Sequence, residues 1–233
     1  MHQINYKTNS IYLQRKNIHS IILLVIKLKF IQGNYENTII IQKSRFIAEA
    51  YRVNNIEEIN EILASIKKKY YDATHHCYAY RLGDQIQKMS DDGEPAKTAG
   101  APMLDVLLKQ DITNILVVVT RYFGGILLGA GGLVRAYSSA TSSVLEQATF
   151  YKSALQTKFR MTVSYSAYQT LLKVLSYITI EKTSFLSEVI IEAHCSKKNY
   201  EQLQKDIFTY KLGETGMEYL GEFQLEIPLN TSS

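Results

Sequence analysis

Cysteine is scarce in this chain. Only Cys77 and Cys195 occur among 233 residues, far apart and each inside an apolar, strand-like run. That excludes a disulfide framework and suits a reducing compartment, so a cytoplasmic protein is expected. No CxxC pair and no cysteine–histidine spacing of a zinc site is present, and no metal is expected. Long apolar runs are missing too. The stretch Ile21–Ile26, continued by Leu28, Phe30 and Ile31, is broken by Lys27 and Lys29, and falls short of the roughly 20 apolar residues that cross a bilayer. No small-residue cleavage site follows it, so neither a membrane anchor nor a secretion signal is expected.

Charge is unevenly spread. The formal net charge is +4, but residues 1–32 hold five basic and no acidic side chains, residues 33–149 hold 12 basic and 13 acidic, and residues 150–233 hold nine of each. The body of the chain is therefore near neutral, and its basic character does not argue for nucleic acid. DNA is not expected as a partner. Residues 1–32 read as an N-terminal extension, or as sequence upstream of the true start.

What is present divides into two patterned regions, 33–150 and 155–228. Thr38–Val53 is β-branched and partly alternating, which predicts one or two strands. Ile56, Ile59, Ile62, Leu63 and Ile66 recur at helical spacing behind the N-cap candidate Asn55, with acidic residues in the first turn and lysines in the last. Thr74–Leu82 reads as a strand, Gly83–Gly100 as a polar loop and Pro102–Lys109 as a short helix. Ile115–Val119 is a continuous apolar run suited to a strand buried on both faces. A glycine-rich turn and a helix over Leu133–Gln147 follow. The second region reads β-α-β-β-α-β, the ferredoxin-like plan. Its helices are expected to turn Leu171, Leu172 and Leu175, and then Leu203, Ile207 and Phe208, toward the core.

Four segments carry chemistry. Arg121 to Leu133 contains Gly124, Gly125, Gly129, Gly131 and Gly132 between a strand and a helix. Backbone amides there can approach an anion, with Arg121 adding donors, although the run is neither a dinucleotide fingerprint nor a P-loop. A tight crossover explains the same glycines. Ser90 to Gly100 places Asp91, Asp92 and Glu94 around Gly93, which suits a hard cation, a cationic partner or a solvated turn. His75, His76 and Cys77 lie on a predicted strand, where alternation sends His75 and Cys77 to one face and His76 to the other. A histidine there can be an acid/base or simply buried, and Cys77 is a nucleophile candidate with no identifiable orienting group. Lys43, Ser44, Arg45 and Phe46 offer two cations and a hydroxyl, for a groove or an edge strand.

In this order, KSRFI, DATHHCYAY, SDDGEPAKTAG and RYFGGILLGAGGLVRAY resemble the YigZ/IMPACT family over about residues 35–150. The resemblance implies an α+β protein: an α/β domain of the ribosomal protein S5 domain 2-like fold, then a ferredoxin-like domain similar to the last domains of elongation factor G. It places the family's motif residues on Lys43, Ser44, Arg45, Phe46, His75, His76, Cys77, Asp91, Asp92, Gly93, Glu94, Pro95, Thr98, Gly100, Arg121, Tyr122, Gly124, Gly125, Gly129, Gly131 and Gly132, together lining one ligand-binding cleft with the acidic loop opposite Arg121. It also implies a translation-associated regulatory or binding protein, contacting RNA, the ribosome or a translation factor. The alternatives are a hydrolase or small-ligand enzyme using the His/Asp/Glu/Arg cleft, and a purely structural interaction protein. The sequence names no cofactor, no catalytic residue and no oligomeric state.

Overall fold

The structure, a computed structural model, describes residues 28–174, 176–209 and 216–229. Most of the N-terminal extension and Leu175 lie outside those residues. The described residues form two compact units, one running to residue 152 and including residues 228–229, the other falling within residues 153–227.

In the first unit, β2 (Asn34–Ile41), β3 (Ser44–Arg52), β6 (Ile115–Tyr122), β4 (His75–Leu82) and β5 (Ile86–Ser90) form an antiparallel sheet in that spatial order. Helix α1 (Ile56–Lys69) covers one face; α2 (Gly100–Lys109) and α3 (Gly129–Leu145) cover the other. The apolar run of β6 follows from this sandwich. Ile115, Val117 and Val119 enter the core under α2 and α3, while Leu116 and Val118 enter the core under α1. Asn55 caps α1 by accepting from Glu58 N at 2.8 Å, and Glu58 returns a carboxylate to Asn54 N at 2.9 Å, a reciprocal arrangement typical of helix starts.

Three features differ from expectation. Composition assigns residues 1–32 to an extension, yet Lys29–Ile31 form β1, paired with Phe150–Lys152 at the start of β7 (Phe150–Val163). Arg52 holds it there, donating to Ile31 O at 3.2 Å and stacking 3.9 Å from the Phe30 ring centre. Strand β5 falls inside the segment read as a loop. It is an edge strand exposed along nearly its whole length, so no apolar period marks it. Helix α3 begins at Gly129, four residues before the apolar pattern does, because glycine contributes no pattern.

The second unit runs β7, α4 (Tyr165–Val174), β8 (Thr179–Phe185), β9 (Val189–Ser196), α5 (Lys197–Thr209) and β10 (Gly216–Pro228). Its strands lie in the order β8-β9-β7-β10, the ferredoxin-like arrangement. Phe159, Met161, Leu171, Ile191 and Leu203 centre its core. Leu172 and Phe208, expected inside, are 47% and 88% exposed. Each follows a core-facing position by one residue, and one helical step rotates a side chain by about 100°, enough to carry it off the buried stripe. Among the described residues no helix is long and apolar enough to cross a membrane.

Candidate functional site

The register of the first sheet gathers the motifs at one end. Phe46 on β3 and His75 on β4 both pair with Arg121 on β6. Alternation then puts Arg121 and Cys77 on the face covered by α2 and α3, and His76 on the face covered by α1.

Arg121 is buried, and its partners are well placed. Nη1 donates to Glu94 Oε1 at 2.6 Å and Nη2 to Ser44 Oγ at 3.3 Å. The guanidinium lies 5.3 Å from the Phe46 ring centre and 5.6 Å from that of Phe123. Glu94 Oε1 also accepts from Tyr137 of α3 at 2.8 Å. Ser44 Oγ in turn accepts from Gly124 N at 3.1 Å, which requires the chain at Gly124 to run directly against Lys43 and Ser44.

The acidic loop is neither a solvated turn nor a cation cage. Asp91 Oδ1 accepts from Ala99 N and Gly100 N at 3.0 and 2.8 Å, and Oδ2 from Lys97 N at 2.8 Å. It thus caps α2 from a distance in sequence that no local rule detects. Asp92 Oδ2 accepts from His76 N at 2.7 Å, and the Asp92 carbonyl accepts from His75 Nδ1 at 2.8 Å. Only Glu94 reaches Arg121. Among the described residues no cluster of three or more metal-ligating side chains occurs.

Above this floor opens a cavity of about 380 Å³. Thr74, His75, Glu94 and Arg121 form its polar side; Phe123, Leu127, Leu128 and Leu133 form its apolar wall, with Gly129 and Ala130 at the start of α3 between them. Of the expected residues, His75, Gly93, Glu94, Pro95, Arg121 and Gly129 line it. Ser44, Phe46, Cys77, Asp91, Asp92, Thr98, Gly100 and Gly124 do not line it. Among them, Ser44, Asp91, Asp92 and Gly124 buttress it through the bonds above, and Phe46 packs edge-on against Tyr137. His76 turns away and donates to Tyr70 O at 3.0 Å. Arg45 stacks 4.4 Å from the ring centre of Tyr122, whose hydroxyl donates to Asp72 at 2.8 Å. Lys43, Gly125, Gly131 and Gly132 are not among the lining residues either. Sequence reasoning missed Thr74, Phe123, Leu127, Leu128, Ala130, Leu133 and Tyr137. The usable signal was the run Phe123, Ile126, Leu127 and Leu128, large apolar residues in a turn with no strand or helix to bury them.

Cys77 is the nucleophile candidate the structure disarms. Its thiol lies 3.0 Å from the Asp91 carbonyl, which can accept its single proton, and 3.3 Å from the Tyr137 hydroxyl, and burial pushes its pKa up to about 12. Burial likewise raises Tyr137, helped by Cys77 and Glu94 beside it. Cys195 is pushed up to about 11 by burial. Neither cysteine offers a thiolate at neutral pH. A disulfide reagent at pH 8 should find neither thiol in the native protein and both of the two after denaturation; rapid native labelling of Cys77 would contradict the burial. The sign of the linked pH effect follows. The unfolded thiol ionises near 9 and the folded one near 12, so the unfolded state sheds the proton first and stability falls across that window.

Residues 42–145 match the family model of the Impact N-terminal domain. An IMPACT family member of Haemophilus influenzae is 33% identical over 186 residues, covering 77% of this chain and 90% of that protein. The IMPACT family member YvyE of Bacillus subtilis is 54% identical over 112 residues, 47% of this chain. The match spans about half of YvyE, 52% of its length, and 63% of the Escherichia coli family member YigZ, which is 41% identical over 129 residues, 54% of this chain. A crystal structure of a hypothetical protein, 28% identical, superposes with a TM-score of 0.53 and covers 83% of this chain and 97% of its own.

Proposed function

Because this chain belongs to the IMPACT family, we propose that it is a translation-associated regulatory protein of the cytoplasm, acting by binding a component of the translation apparatus at the cavity beside Arg121. The resemblance of its motifs supplies the process. The observation that carries the site is the apolar lip: Phe123 and Leu127 stand exposed in the cavity wall, Leu127 by 86%, with Ile126 exposed next to Leu127 in the chain, above a floor made by the Arg121–Glu94 ion pair. Exposed apolar side chains gathered at the mouth of a concavity mark a binding surface.

A protein contact fits better than RNA. Several cations near this end of the sheet are already paired: Lys67 lies 3.6 Å from Asp92, Lys69 2.8 Å from Glu49 and 3.3 Å from Glu36, and Arg45 is stacked on Tyr122. Nucleic acid needs cations free to replace phosphate counterions. A hydrolase reading loses its thiol nucleophile with Cys77.

Co-sedimentation with factor-bearing ribosomes, prepared from a cell-free translation mixture, tests the reading. Wild type is expected in the pellet at low and moderate salt, with Leu127→Asp bound about tenfold more weakly. No binding at either salt, or equal binding by the variant, would sink it.

A further inference from the structure

Resting on that reading of the cavity, we infer that its occupant is an extended apolar segment of a protein partner, held by one peptide group as well as by a side chain. Glu94 is the starting point. Its side chain is 3% exposed, and Oε1 is occupied by Arg121 and Tyr137. Oε2 makes no hydrogen bond to any described residue; its nearest polar neighbour is His75 Nε2 at 3.8 Å, beyond bonding distance. The His75 ring is oriented by the Asp92 carbonyl. A carbonyl only accepts, so Nδ1 carries a proton, and Nε2 is the ring atom turned toward Oε2. Oε2 therefore stands at the cavity as a carboxylate oxygen that no described donor bonds, and a donor brought by an occupant would be favoured there.

The missing donor is neutral. Arg121 already compensates Glu94, and the start of α3 adds a partial positive charge, so an ammonium group would meet repulsion. The same helix start asks for an acceptor. Leu128 at its N-cap offers no side-chain hydrogen bond, its first turn holds no acidic residue, and the first amides of any helix lack internal partners. Gly129 and Ala130 present that backbone to the cavity without bulk. One neutral group that donates and accepts is an amide. Its apolar companion would fill the wall of Phe123, Leu127, Leu128 and Leu133. Ile126, next to Leu127 in the chain and not among the residues lining the cavity, is exposed as well, and a polypeptide reaches past a cavity to such surface.

The test uses the full chain as bait for a displayed library of random heptapeptides, with Leu127→Asp as the counter-selection. A recovered peptide is then synthesised with both ends capped, and its Kd is measured calorimetrically. The recovered peptides should share an apolar residue. Leu127→Asp and Phe123→Ser, both at exposed positions that leave the core untouched, should each raise the Kd at least about tenfold. N-methylation of the peptide should be intolerable, by a similar factor, at a single position beside that residue. The inference is overturned if no peptide is enriched over the variant, if acidic or basic residues alone decide enrichment, or if every N-methyl peptide binds equally. Leu127-dependent ribosome binding with no peptide selected would overturn the peptide chemistry while leaving the proposed function standing.

Discussion

Arg121→Met is expected to destabilise the first unit by about 3–5 kcal/mol, the largest effect of any single side-chain change at this site. The loss is not the value of one ion pair. Removing the guanidinium leaves Glu94 charged, buried and held by Tyr137 alone, and frees Ser44 Oγ from one of its two partners. Breaking a buried pair from one side costs more than removing both partners. Arg121→Met with Glu94→Gln should therefore be more stable than Arg121→Met alone, although it carries two changes. Urea unfolding of the single and double variants, followed by circular dichroism, measures all of this. A double variant less stable than the single would show that the pair is not what holds this end of the sheet.

Gly124→Ala comes second. A Cβ there would lie 2.1 Å from the backbone carbon of Lys43 and 2.3 Å from Ser44 N. These are main-chain atoms of β3 and the turn before it, so relief requires the β2–β3 turn to move, and the hydrogen bond from Gly124 N to Ser44 would be lost with it. About 3 kcal/mol is expected, the upper part of the range for overpacking. Gly131, seven residues on in the same glycine-rich run, should behave oppositely. A Cβ there meets only the end of the Arg135 side chain at 3.7 Å, and alanine is the better helix former, so Gly131→Ala should gain about 0.5–1 kcal/mol. Thermal denaturation of the two variants separates close packing from mere turn composition. Equal effects would contradict the account of the glycine run.

Much of the frame was legible because single residues report their surroundings. Five successive apolar residues from Ile115 announced a strand covered on both sides, and Asn55 ahead of Glu57 and Glu58 announced a helix start. The β-α-β-β-α-β order of the second unit followed from alternation and helical period. Strand β5 escaped because an exposed edge needs no pattern, and the start of α3 because glycine carries none. At the site, residue types suggested which groups matter, yet not how they divide the work. Asp91, Asp92 and Glu94 look equivalent in sequence. Burial and register make them a helix cap, a clamp on the His75 ring and the His76 backbone, and the partner of Arg121. Tyr137 does not stand out in its helix, and nothing local shows that its hydroxyl bridges Cys77 to Glu94. The apolar lip was passed over because the glycines around it drew the reading toward backbone geometry.

These roles separate a scaffold from a working surface. The Arg121, Glu94, Tyr137 and Ser44 network floors the cavity, while Phe123 and Leu127 in its wall meet whatever binds. The rate of protein synthesis in a cell-free translation system, titrated with wild type and with Leu127→Asp of equal thermal stability, tests that separation most directly. Wild type should change the rate in a concentration-dependent way, and the variant should leave it unchanged up to about tenfold higher concentration. A variant as effective as wild type, or a wild type without effect, would contradict the assignment of this cavity to translation.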